Sequence, residues 1–93
     1  MKVVFSALAR TRLLDIETYI ADQDPRAAER VVHRIIFAAE LLGEHPKLGV
    51  VWKGGTTSAL VVPTVPYRIH YRIEGKELQV ITVAHTSQLP PKL

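Results

Sequence analysis

The sequence predicts an α+β domain in the order β-α-α-β-β-β, a helical hairpin packed on one face of a small antiparallel sheet. Three observations carry that expectation. Two stretches before residue 45 repeat apolar residues at intervals of four and three. Residues 67–73 instead alternate with a period of two, apolar against basic. The turns between the last strand candidates are short, which favours an antiparallel meander. At 93 residues there is room for one hydrophobic core, so residues 1–93 are expected to form a single domain.

Val3-Val4-Phe5 is a short β-prone run, and Ser6 follows with a hydroxyl suited to a helix N-cap. Ala9, Leu13, Ile16 and Ile20 then form one apolar stripe on a helix over residues 7–21. The second helix opens with Asp24 as N-cap and Pro25 at the first helical position, where a missing N–H is harmless. Ala28, Val32, Ile35, Ala39 and Leu42 repeat along it, with Gly43 placed for a left-handed C-cap and Pro46 blocking continuation. The short Ala21-to-Asp24 connection makes the two helices an antiparallel hairpin. Val31, Ile36 and Phe37 widen the apolar surface beyond one stripe, so a further face of this helix is expected to be covered by the sheet or by a partner. Residues 44–57 read as loop, and Ser58–Val62, Tyr67–Ile73 and Leu78–Ala84 as strands.

Apolar residues make up 47% of the chain and charged residues 23%, a composition that packs a core and excludes intrinsic disorder. The absence of cysteine excludes disulfide scaffolds, zinc knuckles, thiol catalysis and iron–sulfur clusters. Lys2 and the apolar residues after it imitate a secretion signal. Arg10, Arg12 and Asp15 follow too closely for one, and no apolar run approaches the ~18–20 residues of a membrane span. A cytoplasmic protein without a membrane partner is expected. The four histidines lack metal-site spacing, no phosphate-loop or dinucleotide motif is present, and no cofactor or metal is expected.

Charge is distributed unevenly within a net +3. No carboxylate lies between Glu44 and Glu74, whereas Lys47, Lys53, Arg68 and Arg72 do. Such an excess suits phosphate or an acidic protein partner, or is simply a solvated basic face. Within it, Arg68, His70 and Arg72 stand two residues apart and are expected on the open face of their strand, while Tyr67, Ile69, Tyr71 and Ile73 face the core. Metal-free RNA cleavage needs a base, an acid and cations on the developing phosphorane. The three residues supply cations and one proton carrier, and His85 or Lys53 would have to complete the set. Trp52 offers an aromatic surface in the loop.

The chain resembles the ParE/RelE superfamily of toxins from bacterial type II toxin–antitoxin systems, the ParE branch most closely. The resemblance rests on V-V-F-S-x-x-A-x-x-x-L from Val3, D-P-R-A-A-E-R from Asp24, H-P-K-L-G from His45, L-V-V-P-x-x-P-Y-R-I-x-Y-R-I from Leu60 and V-x-H from Val83. It implies a toxin neutralised by a cognate antitoxin that wraps a helical or extended segment over its apolar and basic surface, in a hetero-oligomer. ParE-like members imply inhibition of DNA gyrase, and RelE-like members cleavage of mRNA on the ribosome. For the second, His70, His85, Arg68, Arg72 and Lys53 would carry the chemistry; for target or antitoxin binding, Arg68, His70, Arg72, Lys53 and Trp52 are the candidates. Three departures bear on the choice. Ser58 and Ala59 stand where many relatives have arginine and glutamate, and Leu89 where tryptophan is frequent. The C-terminal segment also lacks the tyrosine or arginine of the ribonuclease relatives. Losing one phosphate-clamping arginine costs a nuclease ~2–4 kcal/mol of transition-state stabilisation. The departures therefore favour a gyrase inhibitor, or a toxin-fold binding partner of reduced activity.

Overall fold

The structure, a computed structural model, describes residues 1–52 and 54–88. Its elements are β1 (Lys2–Phe5), α1 (Ala7–Ala21), α2 (Pro25–Glu44), β2 (Val50–Val51), β3 (Ser58–Val61), β4 (Tyr67–Glu74) and β5 (Glu77–His85). They form an α+β fold, the helical hairpin lying on a five-stranded sheet of order β1-β5-β4-β3-β2. Two features differ from expectation. A two-residue strand, β2, adds to the edge at β3, and β1 runs parallel to β5, so the sheet is mixed.

Both helix starts follow from their caps. Asp24 Oδ1 accepts the backbone N–H groups of Arg26 and Ala27, with Pro25 beside them. Ser6 does two tasks: its Oγ accepts Ala9 N–H at 3.0 Å and donates to the carbonyl of Ile81 at 2.7 Å. The α1 N-terminus is thereby tied to β5 at its irregular point. There the register steps from Tyr71↔Val80 to His70↔Thr82, leaving Ile81 as an extra residue. Gly43 is not the helix cap that its position suggests. α2 continues to Glu44, and a Cβ on Gly43 would stand 2.7 Å from Val3 Cγ2 and 2.9 Å from the Met1 carbonyl oxygen. Its lack of a side chain lets α2 cross the β1 end of the sheet closely.

The core lies between hairpin and sheet. Ile35, Ala39 and Leu42 of α2 meet Ile69, Tyr71 and Leu78, all at most 1% exposed. Leu13, Ile16 and Ile20 of α1 pack around this centre only half-buried. The cover stops short of the β4–β5 tip. Ile73, expected in the core, is 48% exposed although its cross-strand neighbour Leu78 is fully buried. No helix among the described residues is long and apolar enough to cross a membrane.

Candidate functional site

Period two does place Arg68 and His70 on the face of β4 away from the helices, as expected. That face is not open there. Arg68 is 7% exposed and His70 fully buried; only Arg72 of the three is exposed. The cause is chain remote in sequence. Trp52, in register with Val50 opposite Ala59, folds over this face and meets the His70 ring edge-on at 4.9 Å between centroids. The turn after β5 closes the other side and receives Arg68.

Arg68 uses all of its nitrogens inside the protein. Nε donates to His70 Nε2 at 2.9 Å, Nη1 to the Thr86 carbonyl and Nη2 to the Gln88 carbonyl, each at 3.3 Å. Its guanidinium carbon stands 5.5 Å over the centre of the Trp52 ring, a cation–π contact. No carboxylate pairs with it among the described residues. Ala59, where the related pattern has glutamate, is the cross-strand neighbour of His70 on this face. A carboxylate there would lie against the Arg68–His70 pair; alanine leaves the guanidinium with neutral acceptors.

His70 is held neutral. Burial first, and the Arg68 charge second, lower its pKa to about 4. At pH 7 the ring is uncharged. Because Nε2 accepts from Arg68, the ring proton sits on Nδ1, which is buried and has no hydrogen-bond partner among the described residues.

His85 lies on the opposite face. Without the extra residue in β5 its parity would match that of His70; Ile81 reverses it, so His85 pairs with Tyr67 and His70 with Thr82. The His85 ring stacks edge-on against Tyr67 at 5.2 Å, and its Nδ1 accepts the Ser87 N–H at 3.0 Å. Burial raises the Tyr67 pKa, with Tyr19 adding to it. The two histidines therefore cannot act as acid and base on one phosphodiester from a single face. Arg72 is exposed but engaged, donating to Gln79 Oε1 at 3.1 Å and standing 3.5 Å from Glu74. Lys53 and Leu89 lie outside the described residues. Ser58 pairs with Tyr71 on the helix side. The expected single cationic face is thus divided into a buried guanidinium and a paired, exposed one. No group of three or more His, Asp or Glu residues is placed to hold a metal among the described residues.

The helix side carries a second feature. An apolar groove of about 540 Å³ runs between α2 and β3, with Leu60 and Val62 below, Phe37 and Leu41 on one wall and Leu48 on the other. His33 and Arg34 stand at its rim. Phe37 is 68% exposed, which accounts for the excess apolar surface read from the sequence.

A family model described as the ParE toxin of type II toxin–antitoxin system, parDE, matches residues 3–90. Toxin Y4kP of Sinorhizobium fredii is 37% identical over 92 residues, spanning 99% of this chain and 95% of that protein. Toxin RelE2 of Caulobacter vibrioides is 31% identical over 88 residues, spanning 95% and 98%. Among solved structures, the chromosomal ParDE system from P. aeruginosa superposes with a TM-score of 0.84 at 19% identity, covering 94% of this chain and 97% of that one. The toxin–antitoxin complex RelBE2 from Mycobacterium tuberculosis gives 0.60 at 23% identity, covering 94% and 92%. At those identities the two structures speak for the fold, whereas the family model and the two toxins speak for descent. The chain belongs to the ParE toxin family, among the ParE/RelE-like toxins of type II toxin–antitoxin systems.

Proposed function

We propose that this toxin acts in the cytoplasm as an inhibitor of DNA gyrase, stalling it on cleaved DNA, and that a cognate antitoxin holds it inactive. The alternative within its superfamily is ribosome-dependent cleavage of mRNA. The observation that favours gyrase is the state of His70. Phosphodiester cleavage needs a proton donor and a proton acceptor that both reach the reacting oxygens. His70 is buried and neutral, and its one lone pair is occupied by Arg68. His85 belongs to the other face of the sheet. Arg68, the natural phosphate clamp of the set, is committed to two main-chain carbonyls. A gyrase inhibitor needs none of these groups for chemistry; it needs a rigid shape and a surface.

The reading is tested with purified toxin, gyrase and relaxed plasmid. Loss of supercoiling with accumulation of cleaved DNA at micromolar toxin is expected. Unaffected gyrase, accompanied by codon-positioned cuts in translated mRNA, would replace this reading with the ribosomal one. Unaffected gyrase with no growth arrest on expression would leave a binding partner of reduced activity.

A further inference from the structure

We propose that the free toxin pairs with a second copy of itself, the outward ridge of α2 packing antiparallel on its counterpart about a twofold axis. The inference concerns this chain alone and holds whichever target the toxin has.

The ridge follows from spacing and exposure. Arg26, Arg30, His33, Phe37, Glu40 and Glu44 succeed one another at intervals of four or three, so they line one side of the helix. All of them are exposed, while Ala28, Ile35, Ala39 and Leu42 bury the opposite side. The intervals run four, three, four, three, four, the same from either end. A ridge with that symmetry meets a reversed copy of itself residue for residue. With the axis at the level of Ile35, Arg26 faces the partner's Glu44, Arg30 the partner's Glu40, and His33 the partner's Phe37. Twofold symmetry makes each of these contacts occur twice.

Charge argues for this occupant in two ways. The basic residues of the ridge lie in the N-terminal half of α2 and the carboxylates in the C-terminal half, against the helix dipole. No acidic residue stands in the first turn and no basic one in the last. Like charges are also neighbours four residues apart, Arg26 with Arg30 and Glu40 with Glu44, which weakens an isolated helix. None of them has an ion-pair partner within its own chain among the described residues. A reversed copy offsets all of this at once. It sets a carboxylate against each of these arginines and lays the two dipoles antiparallel.

Phe37, 68% exposed in the single chain, supplies the apolar centre beside the axis. Arg34, exposed next to the ridge, is the exception, because the axis brings it near its own counterpart. Residues 26–44 span about 27 Å of helix. One helix face buries less than the ~800 Å² per partner of a stable interface, so a dimer of micromolar affinity is expected.

Sedimentation equilibrium of the toxin without antitoxin reads the association. A Kd of about 10 μM at low salt is expected, rising as salt is added. R30E and E40R each turn two facing pairs from opposite to like charge, and each is expected to weaken the dimer about 30-fold. Mixed in equal amounts, the two variants again present opposite charges in those pairs, so the mixture is expected to associate as the parent does. F37A is expected to weaken the dimer about tenfold, and R34Q to tighten it about threefold. The substituted side chains are exposed, so circular dichroism of every variant should match the parent. A parent that stays monomeric at millimolar concentration would overturn the proposal. A dimer indifferent to R30E and E40R, a mixture of the two that fails to associate, or a looser dimer from R34Q would overturn this face and register.

Discussion

Between pH 6.5 and pH 4 the unfolding free energy is expected to fall by on the order of 3 kcal/mol through His70 alone. In the folded protein this ring resists protonation down to about 4, because it is buried and its lone pair receives the Arg68 Nε–H. In the unfolded chain it titrates near 6.5. Above 6.5 both states are neutral and nothing is lost. As the pH falls, the unfolded state takes up a proton that the folded state refuses, so stability declines until the folded ring titrates as well. Urea unfolding at several pH values measures this, with H70Q as the reference. A glutamine oxygen can accept from Arg68 but does not titrate, so H70Q is expected to lack this part of the decline. Parallel curves for the two proteins would mean that His70 is not the buried, neutral acceptor described above.

Gly49→Ala is expected to destabilise the domain by about 3 kcal/mol. A Cβ at this position would stand 2.5 Å from the Tyr71 hydroxyl and 2.8 Å from the Ala59 carbonyl oxygen. The hydroxyl is not free to retreat, since it donates to the Pro46 carbonyl at 2.8 Å and accepts the Gly49 N–H at 3.1 Å. Tyr71 is 1% exposed, so its ring is fixed as well. This knot holds the loop that carries Leu48 to one wall of the groove and Trp52 to the opposite face of the sheet. The check is a double-mutant cycle by chemical denaturation. Tyr71→Phe removes the obstructing oxygen, so Gly49→Ala should cost less in that background than in the parent. Equal costs in both backgrounds would place the strain elsewhere.

Local patterns carried the helices and the central strand. Ser6 and Asp24 are caps in the structure, and the stripe through Ile35 and Leu42 faces the core, because these features depend on residues a few positions apart. The surroundings of β4 depend on residues much further away. Period two separates Arg68 and His70 from Ile69 and Tyr71, but nothing in residues 67–73 states that Trp52 and the turn at Thr86 will close over the first pair. The acceptors of Arg68 at Thr86 and Gln88 are main-chain carbonyls, which every residue possesses and no sequence pattern marks. His85, named as a residue that could complete the set, lies across the sheet from His70 because the extra Ile81 reverses the parity of everything after it in β5. Val50–Val51 is too short to stand out between Gly49 and Gly54 as a strand. The groove was half legible, since Phe37 announced an apolar surface without saying that β3 would form its floor.

We propose above that this toxin arrests growth by occupying its target and not through proton transfer by its histidines. The most direct measurement is the growth arrest produced by the double variant His70→Gln, His85→Gln, expressed without antitoxin and confirmed as folded. Arrest equal to that of the parent, with translated mRNA intact, is the expected result. Loss of arrest in the folded double variant, together with mRNA cut by the parent and spared by the variant, would contradict the claim.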